Sequence, residues 1–152
     1  PATPPAPCPP PAGLLQALGL DSTLYVGKSN FDYLVQVESE KELLRLEPDF
    51  RLLASVPGRG VIVTSSSDRP GIDFVSRFFA PGSGIDEDPV TGSAHCCLGP
   101  FWAERLGRSD LLAEQLSARG GTVKVSHRGE RVLLAGQAVT VLRGELTGFT
   151  PA

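Results

Sequence analysis

Ala94, Cys97, Leu98, Phe101, Trp102 and Leu106 recur at helical spacing and stop at Gly107, a residue suited to closing a helix. The apolar face they make is broad, so this helix must be largely buried. What surrounds it in the sequence is mainly short β-branched runs, and a sheet wrapped on one long helix is the architecture that this order implies. Pro100 lies inside the helical run, removes one hydrogen bond and predicts a kink near Cys96 to Pro100.

The strand-like runs come in pairs. Leu24–Val26 and Tyr33–Val37 flank Gly27-Lys28-Ser29-Asn30, whose glycine and asparagine suit a hairpin turn. Gly60–Ser65 and Ile72–Ala80 flank the turn signal Ser67-Asp68-Arg69-Pro70-Gly71. Thr122–Val125, Arg131–Ala135 and Gln137–Leu142 predict an antiparallel meander that closes the chain. Between these runs, Ser39 with Glu42 forms a capping-box pattern ahead of Leu43, Leu44 and Leu46, and Asp49–Ser55 adds a further helical turn or two. The fold class is therefore α+β: a mixed, mostly antiparallel sheet curled round one central buried helix.

Residues Pro1 to Ala12 hold seven of the fourteen prolines, which dictates extended chain and excludes helix or central strand. The segment reads as a proline-rich linker from a missing upstream domain, with residues 13–152 as the domain proper. Gly13–Gly19 is a short apolar helix closed by glycine. The complete lack of methionine agrees with a fragment or processed product.

A length of 152 residues suits one domain with a real core, and a formal charge of −3 supplies neither the basic stripe that nucleic acid requires nor a polybasic patch for anionic lipid. No apolar run approaches the roughly 20 residues of a membrane span. Nucleic-acid and membrane partners are excluded, and a cytoplasmic location is expected. Three cysteines, two of them adjacent, argue against a disulfide framework, and two histidines are too few for a His-rich metal centre. A reduced protein without metal is expected.

The chemistry concentrates in Gly84-Ile85-Asp86-Glu87-Asp88-Pro89-Val90-Thr91-Gly92-Ser93-Ala94-His95, a loop feeding the start of the long helix. A helix start leaves backbone N–H groups unpaired at the positive end of the helix dipole, so Gly92 and Ser93 present amides to an anion. Asp88 beside them is either a candidate acid, base or orienting group, or a carboxylate that complements the dipole for about 0.3–1 kcal/mol. Thr91 and Ser93 are alternative N-caps, and His95 either reaches the site or packs in the core. Asp86 and Glu87 read as solvated loop charges, Cys96 and Cys97 as small buried hydrophobes, and Trp102 with Phe101 as core.

Four blocks, in order, resemble the phenazine-biosynthesis isomerase (PhzF-like) family: Asp73-Phe74-Val75-Ser76-Arg77-Phe78-Phe79-Ala80-Pro81, Glu87–His95, Gln115-Leu116-Ser117-Ala118-Arg119-Gly120-Gly121, and Gly129–Val132 with Gly136–Val139. The resemblance implies half of a diaminopimelate-epimerase-like fold, in which two similar domains enclose a cleft. It implies proton transfer without metal or organic cofactor on a small carboxylate-bearing metabolite. By position it makes Asp88 the acidic group of the cleft and Gly92 and Ser93 the substrate-anchoring helix start. Thr91 and His95 are further candidate contacts from their own place at the helix start. The cysteine of the epimerase relatives falls near Pro89 here, so a two-thiol mechanism does not transfer. Nothing matches the glutamate and Gly-His segment of the family's first half, so the partner that completes the site is the missing N-terminal domain or a second copy of the chain. A non-catalytic interaction or dimerisation module is the alternative reading.

Overall fold

The computed structural model describes residues 1–145, 147 and 148. Its strands are β1 Ala6–Pro7, β2 Tyr25–Lys28, β3 Asp32–Gln36, β4 Gly60–Ser66, β5 Phe74–Ala80, β6 Ile85–Glu87, β7 Asp110–Gln115, β8 Gly121–Arg128 and β9 Arg131–Ala135; the α-helices are α1 Leu14–Leu18, α2 Glu40–Leu44, α3 Phe50–Leu53 and α4 Gly92–Leu106. One sheet runs β1-β2-β3-β4-β5-β7-β8-β9, with β6 folded back on β5. Among the described residues only β3–β4 and β5–β7 pair in parallel. The sheet is mixed and mostly antiparallel, as the sequence order implies.

Strand alternation divides the core. Tyr33, Val35, Val61, Val63, Val75 and Phe79 pack with α1, α2 and α3 on one face. Leu34, Ile62, Phe74 and Phe78 point the other way, onto Ala94, Cys97, Leu98, Phe101 and Trp102 of α4. The central strands are thus covered on both faces, which explains why β4 and β5 read as nearly continuous apolar runs. Trp102 stacks on Phe74 at 5.6 Å with an interplanar angle of 8°, and its Nε1 donates to Thr64 Oγ1 at 3.0 Å. The aromatic pair is core, and its one polar atom is satisfied.

Local chemistry places the small helices. Ser39 Oγ accepts from Glu42 N at 3.2 Å while the Glu42 carboxylate accepts from Glu38 N at 2.9 Å, so α2 closes its capping box one residue outside the usual reciprocal partner. Asp49 Oδ1 caps α3 through Leu52 N at 2.9 Å.

The proline-rich segment read as a linker is extended, and it is docked along the domain. Ala6 and Pro7 pair with Lys28 and Gly27 of β2, and Ala2 N donates to Glu130 O at 2.8 Å. Thr3 N donates to Cys96 O at 3.0 Å. This last bond answers the proline question, because a proline at 100 cannot serve the carbonyl four residues earlier, at Cys96. The amide of Thr3 takes that place, and α4 runs from Gly92 to Leu106 as one helix with Pro100 inside it.

One expected element does not form. Gln137–Leu142 belongs to no strand, and Val139, Val141 and Leu142 are exposed. Among the described residues β9 is the last paired strand on that side, and a β-branched composition alone cannot substitute for a pairing partner. Among the described residues no helix is long and apolar enough to cross a membrane.

Candidate functional site at the start of the central helix

The loop that carries Asp88 is shaped by its return on β5. After Ala80 the chain makes a 3-10 turn at Pro81–Ser83, passes through Gly84 at φ 83°, and runs back as β6. Asp88 N then donates to Phe78 O at 3.0 Å. Glu87 corrects the sequence expectation: it is half-buried in a bidentate pair with Arg77, Nε to Oε1 at 2.7 Å and Nη2 to Oε2 at 3.0 Å. Strand β6 turns Glu87 toward Arg77, whose Nη1 also donates to Leu43 O and Leu46 O. The pair ties the loop to the α2 segment. Asp86 is exposed.

A second clamp comes from β7. Gln115 is fully buried; its Oε1 accepts from Thr91 N at 2.8 Å, and its Nε2 donates to Asp88 O at 2.6 Å and Thr91 Oγ1 at 3.1 Å. Thr91 N can only donate, which fixes the orientation of the Gln115 amide and makes Thr91 Oγ1 an acceptor toward it. The threonine proton is therefore given to Asp88 Oδ2, at 2.5 Å. Thr91 occupies the N-cap position but makes no side-chain cap, because its hydroxyl is committed to Asp88. Ser117 Oγ donates to Pro89 O at 2.8 Å. A Cβ at Gly121 would lie 2.5 Å from Val90 Cγ2, and Gly120 turns at φ 68°. The glycine pair serves a turn and a close approach to the loop.

Gly92 and Ser93 are exposed at the first turn of α4, where backbone amides have no acceptor within the helix. Asp88, Thr91, Gly92 and Ser93 are thus brought together at one end of the helix. A further residue joins them that no sequence signal marked. Arg59 Nη2 donates to Ser93 Oγ at 2.9 Å, and the same guanidinium grips Asp32 through Nε at 2.9 Å and Nη2 at 2.5 Å. The hydrogen bonds that Arg59 donates to Asp32 raise its pKa above the ordinary value against the opposing effect of desolvation. Phe31 and Phe78 flank the guanidinium with ring centroids 5.1 and 5.8 Å away.

His95 stands apart from the exposed group. Its ring is fully buried beside Phe74, and Nδ1 lies 2.8 Å from Thr91 O. A carbonyl only accepts, so Nδ1 donates and Nε2 is left buried without a partner. Burial lowers the His95 pKa from its ordinary 6.5, partly offset by the bond to Thr91. The neutral ring is favoured in the folded state, so the stability it contributes is complete above 6.5 and lost as pH falls through the interval toward the folded value. Urea denaturation should show this as a lower midpoint below pH 6.5, with a slope from this group of up to about 1.4 kcal/mol per pH unit. His95→Gln should flatten that component; an unchanged slope would assign it elsewhere.

Cys97 is buried, and desolvation pushes its thiol up to about 12, with the Asp32 charge adding to the effect. It is a packed thiol and no nucleophile. Among the described residues no group of three or more His, Cys, Asp or Glu is placed to hold a metal ion. An open groove of about 1540 Å³ lies along the other half of α4 beside Tyr25, Phe101 and Arg105. None of the loop residues lines it. At the helix start, by contrast, the Asp88 carboxylate, the Arg59 guanidinium and the first-turn amides of α4 lie close together at an open surface.

The mixed sheet packed on a central helix, with this loop at the helix start, is a PhzF-type fold. Residues 20–144 match the family described as phenazine biosynthesis-like protein. The chain is 53% identical over 136 residues to an uncharacterized isomerase of Halalkalibacterium halodurans, covering 90% of this chain and 51% of the relative. It is 51% identical over 146 residues to an uncharacterized isomerase of Pseudomonas aeruginosa, covering 96% and 55%. Among solved structures, a PhzF-family phenazine biosynthesis protein of Enterococcus faecalis superposes with a TM-score of 0.83 at 37% identity, covering 90% of this chain and 51% of that one. The chain belongs to the phenazine biosynthesis-like (PhzF) family. It spans about half the length of the curated relatives it matches.

Proposed function

We propose that this chain is the C-terminal half of a cofactor-independent PhzF-like isomerase, working with an upstream half to move a proton on a small carboxylate-bearing metabolite. The observation that carries this reading is the Asp88 carboxylate, oriented by Thr91 Oγ1 at 2.5 Å beside the exposed first turn of α4. Gly92 and Ser93 anchor the substrate carboxylate through their amides, where the helix dipole favours negative charge. Asp88 faces the reacting carbon as an acid, base or orienting group, and the principal acid/base comes from the other half. A reducing, cytoplasmic setting is part of the reading, supported by Cys8, Cys96 and Cys97 all being unpaired thiols.

The test is solvent-deuterium incorporation into a panel of small carboxylates, measured by mass spectrometry with the chain alone and with the chain joined to its upstream half. Exchange only in the joined form is the expected result. Full exchange by the 152 residues alone would overturn the two-half reading. A second reading, an association module without catalysis, is favoured by the exposed Leu133, Val139, Val141 and Leu142. Self-association in sedimentation together with a joined form that exchanges no proton is the result that would select it.

A further inference from the structure

We infer that Arg59, held by Asp32, is a positioning and charge-selecting residue of the α4 site, acting through Ser93 so that an ionised carboxylate is preferred over a neutral group of the same shape. The inference rests on the proposed carboxylate site. Its ground is the direction of the hydrogen bonds. A serine hydroxyl has one proton to give and lone pairs to receive. Arg59 cannot accept, so its bond at 2.9 Å fills a lone pair of Ser93 Oγ and leaves the serine proton to be donated outward. An anion at the helix start receives that proton and meets the guanidinium charge beside it, whereas a neutral ligand of the same shape receives the proton without the gain from the charge.

The guanidinium is built into place. Asp32 is 2% exposed in its side chain and holds Nε and Nη2 together, while the Arg59 side chain is 39% exposed. Arg59 N also donates to Phe31 O at 3.0 Å, and Ser83 Oγ donates to Arg59 O at 3.1 Å, so the backbone beneath the side chain is fixed on both sides. Nη1 makes no hydrogen bond among the described residues. One edge of a fixed cation is thus left toward solvent beside Ser93 and Phe31, where a carboxylate meets positive charge without waiting for a side chain to reorganise.

The probes are benzoate and its neutral counterpart benzamide, titrated into the isotopically labelled chain while the backbone amide signals of Gly92 and Ser93 are followed by NMR. Removing Arg59 alone would strand the Asp32 charge, so the informative variant is the double Asp32→Asn/Arg59→Met, with Arg59→Lys beside it and Trp102 fluorescence confirming an intact core. The wild-type chain should bind benzoate in preference to benzamide. The double variant should lose about tenfold of its benzoate affinity, the worth of one charge-assisted contact, with benzamide binding unmoved. Arg59→Lys should fall between, since an ammonium keeps the charge but cannot hold Asp32 and Ser93 in one plane. Equal benzoate binding by wild type and double variant overturns the role of Arg59 and leaves the carboxylate site standing. A wild-type chain that does not distinguish benzoate from benzamide overturns the carboxylate site, and the inference with it.

Discussion

Arg59→Met is expected to lower folding stability by about 3 kcal/mol, among the largest effects of any single change outside the aromatic core. The cost comes from Asp32, whose buried carboxylate loses the partner that holds both of its oxygens. A fully enclosed pair broken on one side loses about 3–5 kcal/mol; the lower end applies here because Arg59 itself is partly solvated. Asp32→Leu combined with Arg59→Met should recover at least half of the loss, since no unpaired charge then remains. Urea denaturation of the two variants decides the matter. A single variant within 1 kcal/mol of the parent would mean that water reaches Asp32 and that the pair is a surface ornament.

Asp88→Asn, placed in the chain joined to its upstream half, should lower kcat by about 10²- to 10⁴-fold, the range for a group that takes part in proton transfer. Asparagine keeps the shape and still accepts the Thr91 hydroxyl through its carbonyl oxygen, so the loop clamped by Gln115 stays in place. KM should change far less than kcat, because the anchoring amides of Gly92 and Ser93 are untouched. Ser93→Ala is the complementary case, expected to act mainly on KM. Deuterium exchange rates with thermal denaturation as a folding control separate the two. Activity of Asp88→Asn within threefold of the parent would remove Asp88 from the proton path.

Parts of the structure were legible because their causes are local. The pairing of β2 with β3, the Ser39 cap, the pairing of β4 with β5 and the helix ending at Gly107 each depend on residues close in sequence, although the β2–β3 turn falls at residues 29–31 and leaves Gly27 and Lys28 in β2. The parallel pairings of β3 with β4 and β5 with β7 had no such signal, because each joins strands across an intervening excursion of the chain. Gln137–Leu142 shows the opposite failure, with strand composition but no neighbour to pair with. At the candidate site, the Glu87–His95 block is contiguous in sequence, so the nearness of Asp88, Thr91, Gly92 and Ser93 at the start of α4 is legible there. Arg59 and Asp32 escaped notice because their value arises from bonds reaching 27 and 34 residues along the chain. Gln115 stood at the head of a recognised block, yet nothing in its sequence context says that it grips a loop 24 residues earlier. His95 lies about one turn inside the helix, a place from which sequence allows either a ring at the cleft or one packed in the core, and only the fold turns it against Phe74.

The bond from Thr3 N to Cys96 O, with that from Ala2 N to Glu130 O, has a consequence in time. Protein synthesis proceeds from the amino end, so the amide that completes the central helix is made first and its partner far later. At about 5–20 residues per second, Ala2 waits on the order of ten seconds before Glu130 is joined to the chain. A segment waiting that long beside half-finished strands is exposed to wrong pairings. Prolines 1, 4, 5, 7, 9, 10 and 11 have no amide hydrogen to give such a partner. The composition that first suggested a passive tether also keeps this stretch idle until its place exists.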